Sequence, residues 1–190
     1  MKKGDLAVLI LTFDVDQEIR PARFLPKVCH KVLDKTMIEI AIETCLRLNP
    51  NKIIVYVSKN NIECINKTLK HNDYSKLITY CILDNTLEER KLSIGEKCFK
   101  GKNILVIPGN SPLLSTKTLY RMISEPRDIK IHNSLFYLKK GNYPLLDAIS
   151  EVGTTKDFLI SETELQRVEK KSDLDSVIKH VEERNKRMGK

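Results

Sequence analysis

Apolar residues fall in four short continuous runs, at 6–13, 53–57, 77–83 and 104–107, rather than in alternation with polar ones. Runs of this length, rich in Val and Ile, suit strands buried on both faces, as in parallel sheets. Between them the period changes to that of a helix. Residues 36–48 open with the capping box Thr36-x-x-Glu39, carry Met37, Ile40, Ala41 and Cys45 on one face, and stop at Asn49-Pro50. Residues 61–70 and 86–99 fill the next two gaps, the latter opening with Thr86-x-x-Glu89. Strands alternating with helices predict βαβ units with right-handed crossovers in a doubly wound sheet.

Beyond Ile107 a turn leads into a helix that Ser115 or Thr116 caps. Residues 128–138 predict one or two short strands, 144–152 a helix, 165–168 a strand, and 172–187 a charged amphipathic helix capped at Ser172. No repeat, low-complexity tract or linker divides the chain, so one domain over 1–190 is expected. Ligands of such sheets bind outside the carboxyl ends of the strands, where strand order reverses. The loops 13–27, 58–61, 84–88 and 108–115 are therefore the places to look for chemistry.

Length and composition narrow the picture further. At 190 residues the chain can bury a full core without disulfide or metal support. Its five cysteines show no C-x-x-C spacing and sit mostly in apolar segments, which points to reduced structural thiols. No leader-like segment opens the chain and no apolar run reaches the ~20 residues of a membrane span; the expectation is a soluble, cytoplasmic protein with no membrane contact. The formal charge of +8 comes from scattered lysines, without basic motifs interleaved with aromatics, so nucleic acid is not the expected partner. A phosphorylated small molecule fits that charge.

Five segments in order resemble one family. "LPKVCHKVLDKTMIEIAIETCLRLNPNKIIVYV", "ILVIPGNSPLLSTKTL", "HNSLFY", "GNYPLLDAI" and "ELQRVEKKSDL" are similar to the corresponding motifs of sugar-1-phosphate nucleotidyltransferases, most closely the uridyltransferase (pyrophosphorylase) domain of N-acetylglucosamine-1-phosphate uridyltransferases. The resemblance implies a Rossmann-like, doubly wound, mostly parallel sheet of the nucleotide-diphospho-sugar transferase type. It implies a nucleotide-binding half over 1–124, and a shortened sugar-binding half with the C-terminal helix over 125–190. The implied reaction is UTP plus N-acetylglucosamine-1-phosphate to UDP-N-acetylglucosamine and pyrophosphate. Its substrates would be a nucleoside triphosphate and a sugar-1-phosphate.

The nucleophile of that reaction is already anionic, so the site's task is to hold repelling phosphates in line and neutralise charge passing to the leaving group. By resemblance Lys27 falls to the phosphate under attack and Arg20 to the leaving pyrophosphate. Gly109, Asn133, Gly141 and Tyr143 fall to substrate binding. Asn110 stands where the family has its metal-binding Asp, and Glu169 where it has an Asn, so a Mg²⁺ site from one carboxylate and one neutral oxygen is implied with the two exchanged.

Other positions depart from the family. Asp14 and Asp16 replace the two glycines of the phosphate loop, and Glu18 follows in an insertion before Arg20. Each unscreened like-charge contact with a triphosphate costs on the order of 1 to 4 kcal/mol. The hairpin near 124–130 is shortened, and "DNTLEERKLSIGEK" lacks the family's base-binding glycines. A second reading therefore stands beside the enzyme: a catalytically inactive relative, a pseudoenzyme serving as a regulatory or assembly subunit with a protein partner. A basic module for polyanions is a third.

Overall fold

The four apolar runs become the four parallel strands at the heart of one sheet. In the computed structural model, which describes residues 5–12, 25–70, 72, 76–83, 102–132, 134–139 and 152–189, these are β1 (Leu6–Leu11), β4 (Lys52–Ser58), β5 (Ile78–Leu83) and β6 (Asn103–Pro108). A small antiparallel hairpin, β2 (Lys31–Val32) and β3 (Lys35–Thr36), stands apart from them. The 128–138 segment forms two strands, β7 (Ile129–His132) and β8 (Leu135–Leu138). The sheet order is β5-β4-β1-β6-β8-β7, with β8 antiparallel to both of its neighbours. The chain moves outward from β1 through β4 to β5 and then returns to β6 on β1's other side, so the order reverses between β1 and β6.

Burial on both faces explains why the runs are continuous. Leu6, Val8 and Ile10 enter one apolar cluster, together with Ile53, Val55, Val57, Leu105 and Ile107. The residues between them, Ala7, Leu9, Ile54, Tyr56, Ile104 and Val106, enter a second cluster on the opposite face, joined by Phe136 and Leu138. With a side-chain period of two, neither face can spare a polar residue.

Helix α1 (Met37–Leu46) begins where the capping box predicts. Glu39 N donates to Thr36 Oγ1 (3.4 Å) and Glu39 Oε2 accepts from Thr36 N (2.8 Å). Its buried stripe is wider than the sequence pattern suggests. Ile38 and Ile42 are buried with Ala41 and Cys45 against the sheet, while Met37 and the half-buried Ile40 belong to a third cluster under the C-terminal helix. The helix is packed from two sides, and a single-face reading recovers only part of that. Asn49, at φ 53°, turns the chain out of α1 as Asn tolerates. Helix α2 (Ile62–Leu69) and helix α3 (Thr116–Ser124) follow the expected positions, and Ser115 caps α3 by accepting from Thr118 N (3.1 Å). The expected helix at 86–99, and all of the one expected at 144–152 except its last residue, lie outside the described residues; Val152 is not helical.

Two expectations near the C-terminus are corrected. Residues 165–168 do not form a strand: a short helix, α4 (Glu162–Leu165), precedes residues with no regular structure. Glu164 is drawn to the start of α3, where its carboxylate accepts from Ser115 N and Thr118 Oγ1, and Val168 N donates to the Asn110 carbonyl instead of to a ladder. The last helix, α5 (Lys171–Arg187), takes Lys170 rather than Ser172 as its N-cap; Asp173, in its first turn, reaches back so that Oδ2 accepts from the backbone N–H groups of Glu169 and Lys170, both at 3.0 Å. Leu174 and Val177 pack α5 against Val168, Val32 and Met37. Among the described residues no helix is long and apolar enough to cross a membrane.

The described cysteines are free thiols. Cys29 Sγ lies 3.8 Å from Cys64 Sγ, and burial, with the Cys64 sulfur and Glu39 adding, pushes the Cys29 thiol up to about 12, although a hydrogen bond from Thr68 opposes the rise. Burial alone pushes Cys45 up as well. Brief iodoacetamide treatment at pH 8 is expected to alkylate the half-buried Cys64 ahead of Cys29 and Cys45, with peptide mass spectrometry as the readout, because the thiolate is the nucleophile.

Candidate functional site

The reversal between β1 and β6 places two strand ends side by side, and the residue after β6 keeps them close. Gly109 N donates to the Leu11 carbonyl at 2.9 Å. A Cβ at Gly109 would sit 3.0 Å from Val28 Cγ1, 3.1 Å from that same carbonyl and 3.3 Å from Ile10 Cγ2. Glycine is needed here for space between backbone and side chains. Gly109→Ala is expected to destabilise the fold by about 1–3 kcal/mol, which a thermal melt would register as a drop of roughly 2–12 °C at this size.

Lys27 is positioned by its neighbours. It opens a 3₁₀ turn (Lys27–Cys29) whose next two residues, Val28 and Cys29, are buried. The turn is tied by Cys29 N to Pro26 O (2.8 Å) and His30 N to Lys27 O (3.1 Å), and then to α1 by Met37 N to His30 O (3.0 Å). The Lys27 ammonium meets Glu169 Oε2 at 2.8 Å, with the lysine side chain 13% exposed and the glutamate 44%.

Asn110, buried in the turn after β6, gathers the other side. Its Nδ2 donates to Val168 O and to Glu169 Oε1, each at 3.2 Å, and its Oδ1 accepts from Arg167 Nε at 3.4 Å. Arg167 also pairs with Glu169 Oε1 at 3.2 Å. Lys27, Asn110 and Glu169, far apart in sequence, thus converge at the carboxyl edge of the sheet beside Gly109. Arg20, Asn133, Gly141 and Tyr143 lie outside the described residues, as do Asp14, Asp16 and Glu18.

Burial pushes the Glu169 carboxyl up, but the Lys27 hydrogen bond, the charges of Arg167 and Lys27, and the Asn110 amide together bring it below the ordinary carboxylate range. A depressed carboxyl stabilises the fold above its unfolded value and ceases to do so as pH falls through its folded one. Melting temperature below pH 4.5 is therefore expected to decline less steeply in Glu169→Gln than in the parent. Equal slopes in the two would refute the coupling.

Two residues join the site that sequence reasoning missed. Arg167 is the clearer; in Arg167-Val168-Glu169 the two charged ends pair while Val168 between them is buried. That alternation was the available signal. His132, at the end of β7, is held below its ordinary range by burial and by the Arg167 charge, so its ring is kept neutral; its Nδ1 lies 3.0 Å from Ser134 Oγ. Among the described residues, the buried side-chain polar atoms without a hydrogen-bond partner are Ser58 Oγ, Asn61 Nδ2 and Ser111 Oγ. Ser58 is the last residue of β4, Asn61 follows that strand and Ser111 follows β6, and buried polar groups of this kind call for a partner.

The implied divalent ion does not fit this donor set. Both Glu169 oxygens are taken by cations, and Asn110 turns its amide nitrogen toward the carboxylate and its oxygen toward Arg167. Hard divalent ions need several oxygens converging on one point. Among the described residues no group of three or more His, Cys, Asp or Glu is placed to hold a metal.

No family model matches the chain. Among curated proteins it is 28% identical over 131 residues to the bifunctional protein GlmU of Paramagnetospirillum magneticum, a match covering 67% of this chain but 28% of that protein. The chain thus spans less than a third of that relative's length. Solved structures agree over almost its whole length. A nucleotidyl transferase from Methanothermobacter thermautotroptrophicus superposes with a TM-score of 0.63 at 14% identity, covering 92% of this chain and 96% of that one. The protein Rv0371c from Mycobacterium tuberculosis H37Rv gives 0.65 at 10% identity, covering 94% and 100%. A 4-diphosphocytidyl-2C-methyl-D-erythritolsynthase from Anaerococcus prevotii gives 0.61 at 12% identity, covering 95% and 97%. At such identities the likeness is one of fold: a six-stranded, mostly parallel α/β sheet of the kind nucleotidyltransferases use. The resemblance read from the motifs and the fold agree.

Proposed function

We propose that this chain transfers a nucleotidyl group from a nucleoside triphosphate to a sugar-1-phosphate, releasing pyrophosphate, with UTP and N-acetylglucosamine-1-phosphate as the first substrates to test. The observation that carries the reading is the convergence of Lys27, Asn110, Arg167 and Glu169 beside Gly109, at the strand-order reversal where ligands of such sheets bind. A phosphate nucleophile needs no base, so cations held in place are the chemistry required. Lys27 is assigned to the phosphorus under attack; Arg20, by motif, to the leaving pyrophosphate. Neutral His132 is suited to hydrogen bonding rather than charge. No step is routed through a metal.

One observation favours the alternative of an inactive relative that serves as a regulatory or assembly subunit: the cluster closes on itself, with Glu169 satisfied on both oxygens. The two readings part in a pyrophosphate-release assay run over several nucleoside triphosphates and sugar-1-phosphates. Turnover that Lys27→Ala removes would exclude the inactive relative. Absence of turnover together with absence of triphosphate binding would exclude the enzyme.

A further inference from the structure

Behind the turn that carries Lys27, two thiols are in contact. Cys64 Sγ lies 3.8 Å from Cys29 Sγ, although the two positions are 35 residues apart in the chain. Cys29 ends the 3₁₀ turn that opens with Lys27, and Cys64 lies in the first turn of α2. Thr68, one helical turn beyond Cys64 on the same face, places its hydroxyl 3.8 Å from Cys29 Sγ and 3.0 Å from the Cys64 carbonyl. Cys29 is 6% exposed within the largest apolar cluster, whereas Cys64 is half-buried and packs against that cluster. One sulfur is within reach of solvent and the other is not.

We propose that Cys29 and Cys64 are an oxidation site: a small hydroperoxide converts the pair to a disulfide that joins the Lys27 turn to α2, and thiol reductants reverse it. Cys64 reacts first. Its thiolate attacks one peroxide oxygen, the O–O bond breaks, and the departing hydroxide takes up the thiol's proton as water, leaving a sulfenic acid. Cys29 then loses its proton and attacks Cys64 Sγ; the S–S bond forms, the S–O bond breaks, and the second hydroxide leaves with that proton as water. Two thiols are oxidised and one peroxide is reduced to two waters. Burial holds the Cys29 thiol protonated in the resting protein, which fits its place as the second to react, and the Thr68 hydrogen bond favours the thiolate it must become.

Contact makes the pairing selective. The sulfurs need close only from 3.8 Å to the roughly 2.05 Å of a disulfide, and attack between groups already touching is an intramolecular step. The cross-link restrains the segment that carries Lys27, because Cys29 N is tied to Pro26 O and His30 N to Lys27 O in the same turn. None of this requires the activity proposed above.

The experiment treats the reduced full chain with hydrogen peroxide, blocks the remaining thiols with iodoacetamide after unfolding, and maps the peptides without reductant. A linked Cys29 and Cys64 pair is expected, lighter by two hydrogens than the separate peptides and absent after dithiothreitol, with alkylation of both residues lowered at least roughly tenfold. In Cys29→Ala no linked peptide should form, and Cys64 should be captured by dimedone as the sulfenic acid or pass on to the sulfinic acid. In Cys64→Ser, which leaves the buried position untouched, Cys29 should remain a thiol at the same peroxide dose. The parent map decides the question even where a variant does not fold. Sulfenic or sulfinic Cys64 in the parent beside an unmodified Cys29, or a bridge from Cys64 to any other cysteine, would overturn the proposal. So would oxidation of Cys29 that proceeds equally well in Cys64→Ser.

Discussion

Lys27→Ala is expected to lower pyrophosphate release by roughly two to three orders of magnitude, the usual cost of deleting one preorganised charge-stabilising group. The lysine is nearly buried, and its turn is fixed by Val28 and Cys29 in the core, so water cannot restore what the ammonium supplied. The fold should survive, because Glu169 keeps Arg167 and Asn110 as partners. Lys35→Ala is the matching control. Its ion pair with Glu43 at 2.6 Å lies on the surface, where such pairs contribute about 0–1 kcal/mol, and turnover should not change. A Lys27→Ala protein as active as the parent would remove Lys27 from the chemistry.

Phe136→Ala is expected to give the largest loss of stability, about 3–5 kcal/mol, read as a fall in melting temperature of roughly 6–20 °C. Phe136 is 2% exposed and lies opposite Val106 in the β6–β8 pairing. It shares a cluster with Ala7, Leu9, Ile54, Tyr56, Cys81, Ile104, Val106 and Leu138, side chains that the sheet's strands hold in place, so the cavity it leaves stays open. A loss below 1 kcal/mol would show that this face of the sheet is covered less tightly than its burial implies.

The central strands were legible because burial on both faces forces an unbroken apolar run, and chemistry of that kind is written locally. Helix α1 was legible for a similar reason, since Thr36 and Glu39 satisfy each other's backbone within one turn. The segment from Gln166 to Lys170 was not. Its Val168 looks like a strand residue, but the bond that fixes it comes from the Asn110 carbonyl, a partner that no local pattern announces. Ser172 is a competent cap by type, but the helix starts one residue before it, and only the path of the backbone lets the Asp173 carboxylate reach back.

The site divides along the same line. Lys27, Asn110 and Glu169 could be named because motif order carries them, whereas no motif points to Arg167. Its role depends on the carboxylate two residues away and on an amide 57 residues earlier. Side chains that act through distant partners leave little trace in any single window of sequence.

The central place of β1 has a consequence for how the molecule is made. Leu6 lies opposite Asn103, and Ala7 opposite Lys52, so the strand is clamped by segments that leave the ribosome at widely separated times. Pairing with β4 can begin early, but the flank that receives β6 stays open until the chain has passed Pro108. Loop closure over such a span is slow, and parallel sheets built this way fold late and expose a sticky edge meanwhile. A nascent chain stalled before Asn103 would present the backbone of Leu6–Leu11 to whatever strand arrived first, and the time spent in that state, more than the final stability, would set how much of the protein is recovered soluble.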